Sequence, residues 1–125
     1  MSSKRILVVD DDSDIRTLVV GKLTRAGIQV DQACDGKEGF ESIVNNPPDL
    51  VLLDMMMPEM TGIEVCERLR AEHSEIKIPV VFLTAKAHGN DVQQGLDSGA
   101  LEYIVKPFSP RELLARVEEL LLEGA

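Results

Sequence analysis

With 125 residues, 44% of them apolar, the chain suits one globular domain with a single core and does not suit a disordered tail. The net charge of −9 at pH 7 argues against a general surface for nucleic acid or for an anionic membrane, and it favours a divalent cation or a basic partner. No apolar run approaches the ~20 residues of a membrane-spanning helix, the chain starts without a signal peptide, and two cysteines make a poor disulfide framework, so we expect a cytoplasmic protein with reduced thiols.

The first half of the chain alternates between strand and helix patterns. We predict a strand over 4–9, a helix over 13–26, a strand over 28–33 and a helix over 35–46. Asp12 or Ser13 is expected to cap the first helix and Gly27 to follow its last turn, and Asp35 and Glu38 have the spacing of a capping box. The second strand alternates polar and apolar residues, which indicates an edge strand with one solvated face.

The second half contains two runs that are apolar throughout, which predict buried strands over 49–54 and 78–84. Thr61 and Glu64 form another capping-box pattern, which predicts a helix between those strands. A short, weakly apolar helix over 90–98 and an edge strand over 101–105 follow. Ser109, Pro110 and Glu112 then combine an N-cap, a proline at the first helical position and a glutamate at the third, which together predict the start of the last helix.

These patterns define the fold class. Five strands that alternate with five helices, joined by right-handed crossovers, form a doubly wound parallel sheet with helices on both faces. The two wholly apolar strands belong in the middle of the sheet, and the second and fifth strands belong at its edges. We therefore expect an α/β fold with a five-stranded sheet in the order 2-1-3-4-5, as one domain over residues 1–125, with its ligand site beyond the ends of strands one and three.

Polar side chains stand at the carboxyl ends of these strands. Asp10 and Asp11 follow the first strand and Asp54 ends the third, so the topology brings three carboxylates together. Such a cluster repels itself unless a cation is present, and oxygen ligands alone suit Mg²⁺. Thr84 ends the fourth strand and Lys106 follows the fifth, so a hydroxyl and an ammonium join the site and predict phosphoryl binding. Capping of the next helix is the alternative role for acidic residues after a strand.

In this order and at these spacings, the site residues resemble the receiver domain of two-component response regulators over essentially the whole chain. The matching motifs are Asp10-Asp11, Asp54 with Met57-Pro58 and Gly62 beyond it, Thr84-Ala85, and Lys106-Pro107-Phe108. The resemblance implies a flavodoxin-like receiver fold. It also implies a phosphoprotein that acts as a signalling switch, not an enzyme with a substrate of its own.

The resemblance implies a role for each acidic residue. Asp54 would be the phosphoacceptor, which takes the phosphoryl group from a sensor histidine kinase or a phosphotransfer protein. Mg²⁺ would be ligated by Asp11, Asp54 and the backbone carbonyl of Met56, while Asp10 would act largely through a metal-bound water.

The remaining matching residues would link phosphorylation to a change of surface. Thr84 and Lys106 would hold the phosphoryl oxygens, and the Lys106–Pro107 peptide would be cis. Thr84 would move toward the phosphoryl group and Tyr103 would turn inward into the vacated space. This movement would change the face made by the fourth helix, the fifth strand and the fifth helix, which would control a downstream output domain or protein.

The residues argue against two other functions. A phosphatase of the haloacid-dehalogenase type also uses Asp at a strand end, Mg²⁺, Thr and Lys, but Met56 stands where its second essential Asp should be. A dinucleotide-binding module needs glycines after the first strand, where this chain has three aspartates that would repel a pyrophosphate.

The sequence does not identify the domain or protein that responds to the switch. The chain is expected to be either a stand-alone regulator or the N-terminal receiver fragment of a DNA-binding transcriptional regulator, because the segment over 106–117 resembles receivers attached to winged-helix domains. Those receivers often form phosphorylation-dependent homodimers through charged pairs. Glu102, Glu112 and Arg116 match that pattern, whereas Val92 stands where a basic partner is expected. The receiver domain itself is expected to contact neither nucleic acid nor membrane.

Overall fold

A computed structural model describes residues 4–85 and 102–123 of the chain. Its strands are β1 Arg5–Val9, β2 Gln29–Ala33, β3 Leu50–Asp54, β4 Val80–Thr84 and β5 Glu102–Val105. Its helices in the described residues are α1 Ser13–Arg25, α2 Gly36–Asn45, α3 Gly62–Glu72 and the C-terminal helix Pro110–Glu123. The helix predicted over 90–98 lies outside the described residues.

The strands form one parallel sheet in the order β2-β1-β3-β4-β5, which confirms the predicted fold class and strand order. Every residue of β3 and of β4 is buried, as their unbroken apolar sequences predict. The edge strand β5 alternates between more and less exposed residues, and β2 is exposed at three of its five residues. Strand β4 begins two residues later than predicted, directly after Pro79, which has no N–H to donate to a neighbouring strand.

The sheet has an apolar core on each face because successive side chains of a strand point to opposite sides. Leu7 and Val9 of β1 belong to the core that α2 and α3 cover. Ile6 and Val8 belong to the core that α1 and the C-terminal helix cover. Since both faces are covered, polar groups of the central strands can reach solvent only at the strand ends.

Capping side chains fix where the helices beside the site begin. The Asp12 carboxylate accepts hydrogen bonds from the first free backbone N–H groups of α1, and Gly27, with φ of +88°, lies beyond its last turn, both as predicted. Thr61 and Glu64 form a complete capping box at the start of α3, with distances of 3.1 and 3.0 Å.

The predicted capping box at the start of α2 is only half formed. Asp35 accepts a hydrogen bond from the backbone N–H of Glu38 at 2.8 Å, as an N-cap should. The carboxylate of Glu38, however, accepts from the N–H of Cys34 at 3.2 Å and not from that of Asp35. The glutamate therefore stabilises the residue that precedes the cap.

None of the helices within residues 4–85 and 102–123 combines the length and the apolar character that crossing a membrane requires.

Candidate functional site

Three carboxylates meet where β1 and β3 end. Val9 of β1 is paired with Leu53 of β3, so the residues that follow these two positions lie side by side. One carboxylate oxygen from each of Asp10, Asp11 and Asp54 lies within 4.8 Å of the others. The structure thus brings together all three acidic residues that the sequence predicts for the site.

Asp10 is fully buried and holds its position through both carboxylate oxygens. Oδ1 accepts a hydrogen bond from the backbone N–H of Asp12 at 2.9 Å, and Oδ2 accepts one from Nζ of Lys106 at 2.8 Å. The backbone N–H of Asp10 donates to the carbonyl of Ala33 at 3.2 Å. A buried carboxylate needs such partners, because an unpaired charge in the interior is strongly destabilising.

Lys106 reaches the acidic cluster from the end of β5. Its Nζ also lies 3.7 Å from Oδ2 of Asp54, and its backbone N–H donates to the carbonyl of Thr84 at 2.7 Å. Burial opposes the charge of Lys106, but the hydrogen bond to Asp10 and the charges of Asp54 and Asp10 outweigh it, so the pKa of Lys106 is raised. The Lys106–Pro107 peptide is cis, as the resemblance implies.

The surroundings of Asp54 disfavour its ionised form. Asp54 is 5% exposed and accepts a hydrogen bond from the backbone N–H of Met56 at 3.2 Å. Burial, followed by repulsion from Asp10, raises its pKa to about 7, although Lys106 acts in the opposite direction. Its ionised form is therefore disfavoured unless another positive charge enters the pocket.

The residues present fit a hard divalent cation. The cluster offers three carboxylates and no imidazole or thiolate, which is the donor set that Mg²⁺ prefers. A cation would also relieve the repulsion that raises the pKa of Asp54. Asp11 is exposed and Met56 is 68% exposed, so both stand on the solvent side of the two buried aspartates.

Thr84 and Tyr103 lie on the same face of the sheet. Thr84 is buried at the end of β4, one residue beyond Leu83, which is paired with Asp54. Tyr103 is paired with Phe82, two residues before Thr84, and is 38% exposed on the edge strand. Since residues two apart in a strand share a face, Tyr103 and Thr84 lie on the same side of the sheet, the side covered by α2 and α3.

Gly62 allows α3 to begin directly against the site. A Cβ atom on Gly62 would lie 2.5 Å from the carbonyl oxygen of Asp54 and 2.9 Å from the Phe82 ring. Its backbone N–H donates to the carbonyl of Met55 at 3.1 Å, which ties the loop after β3 to the helix. Met55 and Met57 are buried in this loop, which leaves the intervening Met56 at the surface.

Arg16 was not among the predicted site residues, although it contacts the acidic turn. Its Nη1 donates to the carbonyl oxygen of Asp10 at 2.6 Å, and its Nε lies 3.3 Å from Oε1 of Gln32 in β2. A basic residue in the early part of α1, where the helix dipole favours acidic ones, is the signal that could have identified it.

Two of the three charged residues considered for a dimer, Glu102 and Arg116, pair with each other within one chain. Nε of Arg116 lies 2.9 Å from both carboxylate oxygens of Glu102, and its Nη1 lies 2.9 Å from Glu119. Glu112 is exposed in the first turn of the C-terminal helix, and Val92 lies outside the described residues. The homodimer stays a prediction.

A cavity of about 530 Å³ lies at the other end of the sheet. It is lined mainly by residues of α3, of the α3–β4 connection and of the first part of β4, with Ile43 of α2 and Val51 of β3, and it includes none of the three site carboxylates. Parallel sheets bind ligands beyond the carboxyl ends of their strands, so this cavity is not the candidate site.

The described strands form a doubly wound parallel sheet, and three carboxylates and the ammonium of Lys106 meet at its switch point. The sequence profile of the response regulator receiver domain matches residues 6–118, and the chain belongs to that family. The family predicted from the motifs is therefore confirmed.

Similar curated proteins are transcriptional regulators. The chain is 48% identical over 117 residues to the DNA-binding dual master transcriptional regulator RpaA of Synechocystis sp., covering 94% of this chain and 48% of RpaA. It is 43% identical over 121 residues to the phosphate regulon transcriptional regulatory protein PhoB of Pseudomonas aeruginosa, covering 97% of this chain and 53% of PhoB. The chain thus spans about half the length of the curated relatives it matches.

Solved receiver domains have the same fold. The receiver domain of Francisella response regulator 1452 superposes with a TM-score of 0.90 at 36% identity, covering 98% of this chain and 100% of that one. A CheY-like receiver domain protein from Methanospirillum hungatei also has a TM-score of 0.90, at 34% identity, covering 98% of this chain and 97% of that one.

Proposed function

We propose that residues 1–125 are one receiver domain that works as a phosphorylation-dependent switch, with Asp54 as the phosphoacceptor. The observation that carries the proposal is the meeting of Asp54, Asp10, Asp11 and Lys106 at one end of the sheet, with Nζ of Lys106 between the two buried carboxylates. The phosphoryl donor is a phosphohistidine on a sensor histidine kinase or on a phosphotransfer protein. The domain has no substrate of its own.

The chemistry is an in-line displacement at phosphorus. A carboxylate oxygen of Asp54 forms the new P–O bond while the P–N bond to the donor imidazole breaks, and the imidazole keeps the electron pair and takes up a proton. Asp54 must be ionised to attack, and the ammonium of Lys106 favours that form. Lys106 and the hydroxyl of Thr84 then hold the phosphoryl oxygens.

Mg²⁺ in the acidic pocket would neutralise charge on the transferring phosphoryl group. Asp11, Asp54 and the backbone carbonyl of Met56 would hold it directly, and Asp10 would act through a water molecule. Asp10 suits an indirect role because Lys106 and the backbone N–H of Asp12 occupy its two oxygens.

The switch transmits phosphorylation through the face shared by Thr84 and Tyr103. Thr84 is buried and Tyr103 is partly exposed on the edge strand, so a movement of Thr84 toward the phosphoryl group makes room on the side where Tyr103 stands. A local charge change thereby biases a two-state element at the surface. The affected surface includes β5 and the C-terminal helix.

The partner that receives this signal is a DNA-binding output domain. RpaA is described as a DNA-binding regulator, and this chain matches about half of its length at 48% identity. We therefore favour the receiver part of a transcriptional regulator over a stand-alone regulator. With its net charge of −9, the receiver domain controls DNA binding without contacting DNA itself.

Phosphorylation with a small-molecule donor tests the assignment of Asp54. The wild-type chain, incubated with acetyl phosphate and Mg²⁺, is expected to gain one phosphoryl group by intact mass spectrometry, and chelation of Mg²⁺ is expected to prevent it. Asp54→Asn should gain none, whereas Asp14→Asn, which removes an exposed carboxylate of α1, should react like wild type. Stable incorporation into Asp54→Asn would contradict the proposal.

A further inference from the structure

Arg16 donates a hydrogen bond to the backbone carbonyl of Asp10, whose other polar groups have partners elsewhere. The carboxylate of Asp10 is occupied by Lys106 and by the N–H of Asp12, and its own N–H is bonded to β2. Its carbonyl oxygen accepts from Nη1 of Arg16 at 2.6 Å. This carbonyl belongs to the peptide that joins Asp10 to Asp11, so its direction helps to set where Asp11 stands.

The guanidinium of Arg16 is itself anchored on the neighbouring strand. Its Nε lies 3.3 Å from Oε1 of Gln32 in β2, while Nη1 reaches back to Asp10, and the side chain is half-buried. A planar guanidinium with donors in a fixed arrangement can make both contacts at once, which a lysine ammonium cannot do with the same geometry. The turn that carries Asp10 and Asp11 is thereby tied both to α1 and to the edge strand.

We propose that Arg16 is a positioning residue for the divalent-cation site: by holding the Asp10–Asp11 peptide against α1 and β2, it places Asp11 for cation binding. The inference rests on the proposed function for the identity of the site, and it adds a residue that does not touch the cation. Outer contacts of this kind orient the direct ligands of a metal, and their loss typically lowers metal affinity about 10- to 100-fold.

A purely electrostatic role and a positioning role for Arg16 predict opposite changes in Mg²⁺ affinity when its side chain is replaced. If Arg16 acted only through its positive charge, its removal would leave the acidic pocket more negative and would strengthen Mg²⁺ binding. If Arg16 only helped the chain to fold, its removal would lower stability and leave the Mg²⁺ affinity of the folded protein unchanged. A positioning role requires that neutral replacement weakens Mg²⁺ binding in a folded chain.

The test is direct titration of Mg²⁺ by calorimetry on the full chain. Arg16→Met is expected to weaken Mg²⁺ binding about tenfold, and Arg16→Lys, which keeps the charge but has a single donor nitrogen, is expected to fall between Arg16→Met and wild type. The matched control is Arg25→Met, which removes an exposed arginine from the last turn of α1 and should bind Mg²⁺ like wild type. Phosphorylation of Arg16→Met should need more Mg²⁺ but recover at saturating Mg²⁺.

Unchanged or tighter Mg²⁺ binding by folded Arg16→Met would overturn the inference. If thermal unfolding shows that Arg16→Met does not fold, Arg16→Lys decides: weaker binding supports the inference and wild-type binding overturns it. A wild-type chain that binds no Mg²⁺ also overturns it. A failure of the phosphoacceptor proposal can be distinguished from a failure of this inference. In that case the wild-type protein binds Mg²⁺ but gains no phosphoryl group on Asp54.

Discussion

Lys106 hydrogen-bonds to Asp10 and not to Asp54: its Nζ lies 2.8 Å from Oδ2 of Asp10 and 3.7 Å from Oδ2 of Asp54. The ammonium therefore compensates the fully buried Asp10 first. Asp54 keeps a pKa of about 7 even with a lysine beside it. Asp54, the proposed phosphoacceptor, is therefore the less well compensated of these two carboxylates.

Replacing Lys106 by Met should destabilise the chain in the absence of Mg²⁺. The substitution keeps much of the apolar stem but leaves the carboxylate of Asp10 buried without its cation. Removal of one partner from a buried ion pair typically costs about 3 kcal/mol or more, and we expect a loss of about 3 kcal/mol in the free energy of unfolding by urea denaturation with a chelator present.

Added Mg²⁺ should restore part of this loss, because a cation in the pocket again compensates the buried carboxylates. The matched control is Lys77→Met, which removes an exposed lysine from the α3–β4 connection and should change the free energy of unfolding by less than about 0.5 kcal/mol. Equal losses for Lys106→Met and Lys77→Met would mean that the ion pair with Asp10 does not stabilise the fold.

The contribution of Asp54 to the stability of the metal-free chain should fall as the pH rises from about 4 to about 7, because its pKa is raised from 3.8 to about 7 in the folded state. Between these values the unfolded state has released the proton that the folded state still holds, so rising pH favours unfolding. Asp54→Asn lacks this proton. Its stability relative to wild type should therefore increase by up to roughly 4 kcal/mol across the window, because the pKa of Asp54 rises from 3.8 to about 7 and each pKa unit corresponds to about 1.4 kcal/mol.

Urea denaturation of wild type and Asp54→Asn at several pH values, with a chelator, measures this difference. Saturating Mg²⁺ should reduce the pH dependence, because the cation favours ionised Asp54. Asp49→Asn provides a comparison at the opposite end of β3, where the carboxylate is exposed. A difference between wild type and Asp54→Asn that stays constant from about pH 4 to about pH 8 is incompatible with a raised pKa for Asp54.

The sheet order and the site carboxylates could be predicted because both depend on the pattern of the backbone and not on side-chain detail. Continuous apolar runs required β3 and β4 to be buried on both faces, and polar alternation assigned β2 and β5 to the edges. Once that order is fixed, Asp10 and Asp54 must meet, since adjacent parallel strands end at the same edge.

The side-chain partners could not be predicted in the same way. Lys106 has two aspartates within reach, and the choice of Asp10 depends on differences of about 1 Å that no spacing encodes. Glu38 bonds to the N–H of Cys34 although its spacing suited Asp35, because the path of the preceding loop decides which N–H it meets. The contact that Arg16 makes could not be predicted for a similar reason. Arg16 donates to a backbone carbonyl, and the spacing of residues does not give the direction of that carbonyl.

Replacing Gly62 by Ala should disturb the site and the fold together. The added Cβ would meet the Asp54 carbonyl oxygen at 2.5 Å and the Phe82 ring at 2.9 Å, so the backbone must shift, and we expect a loss of about 1 to 3 kcal/mol in the free energy of unfolding and slower phosphorylation. The matched control is Gly21→Ala in α1, where the nearest atom lies 3.9 Å away and the helix should gain about 1 kcal/mol. Urea denaturation that gives both variants the same sign would refute the steric account of Gly62.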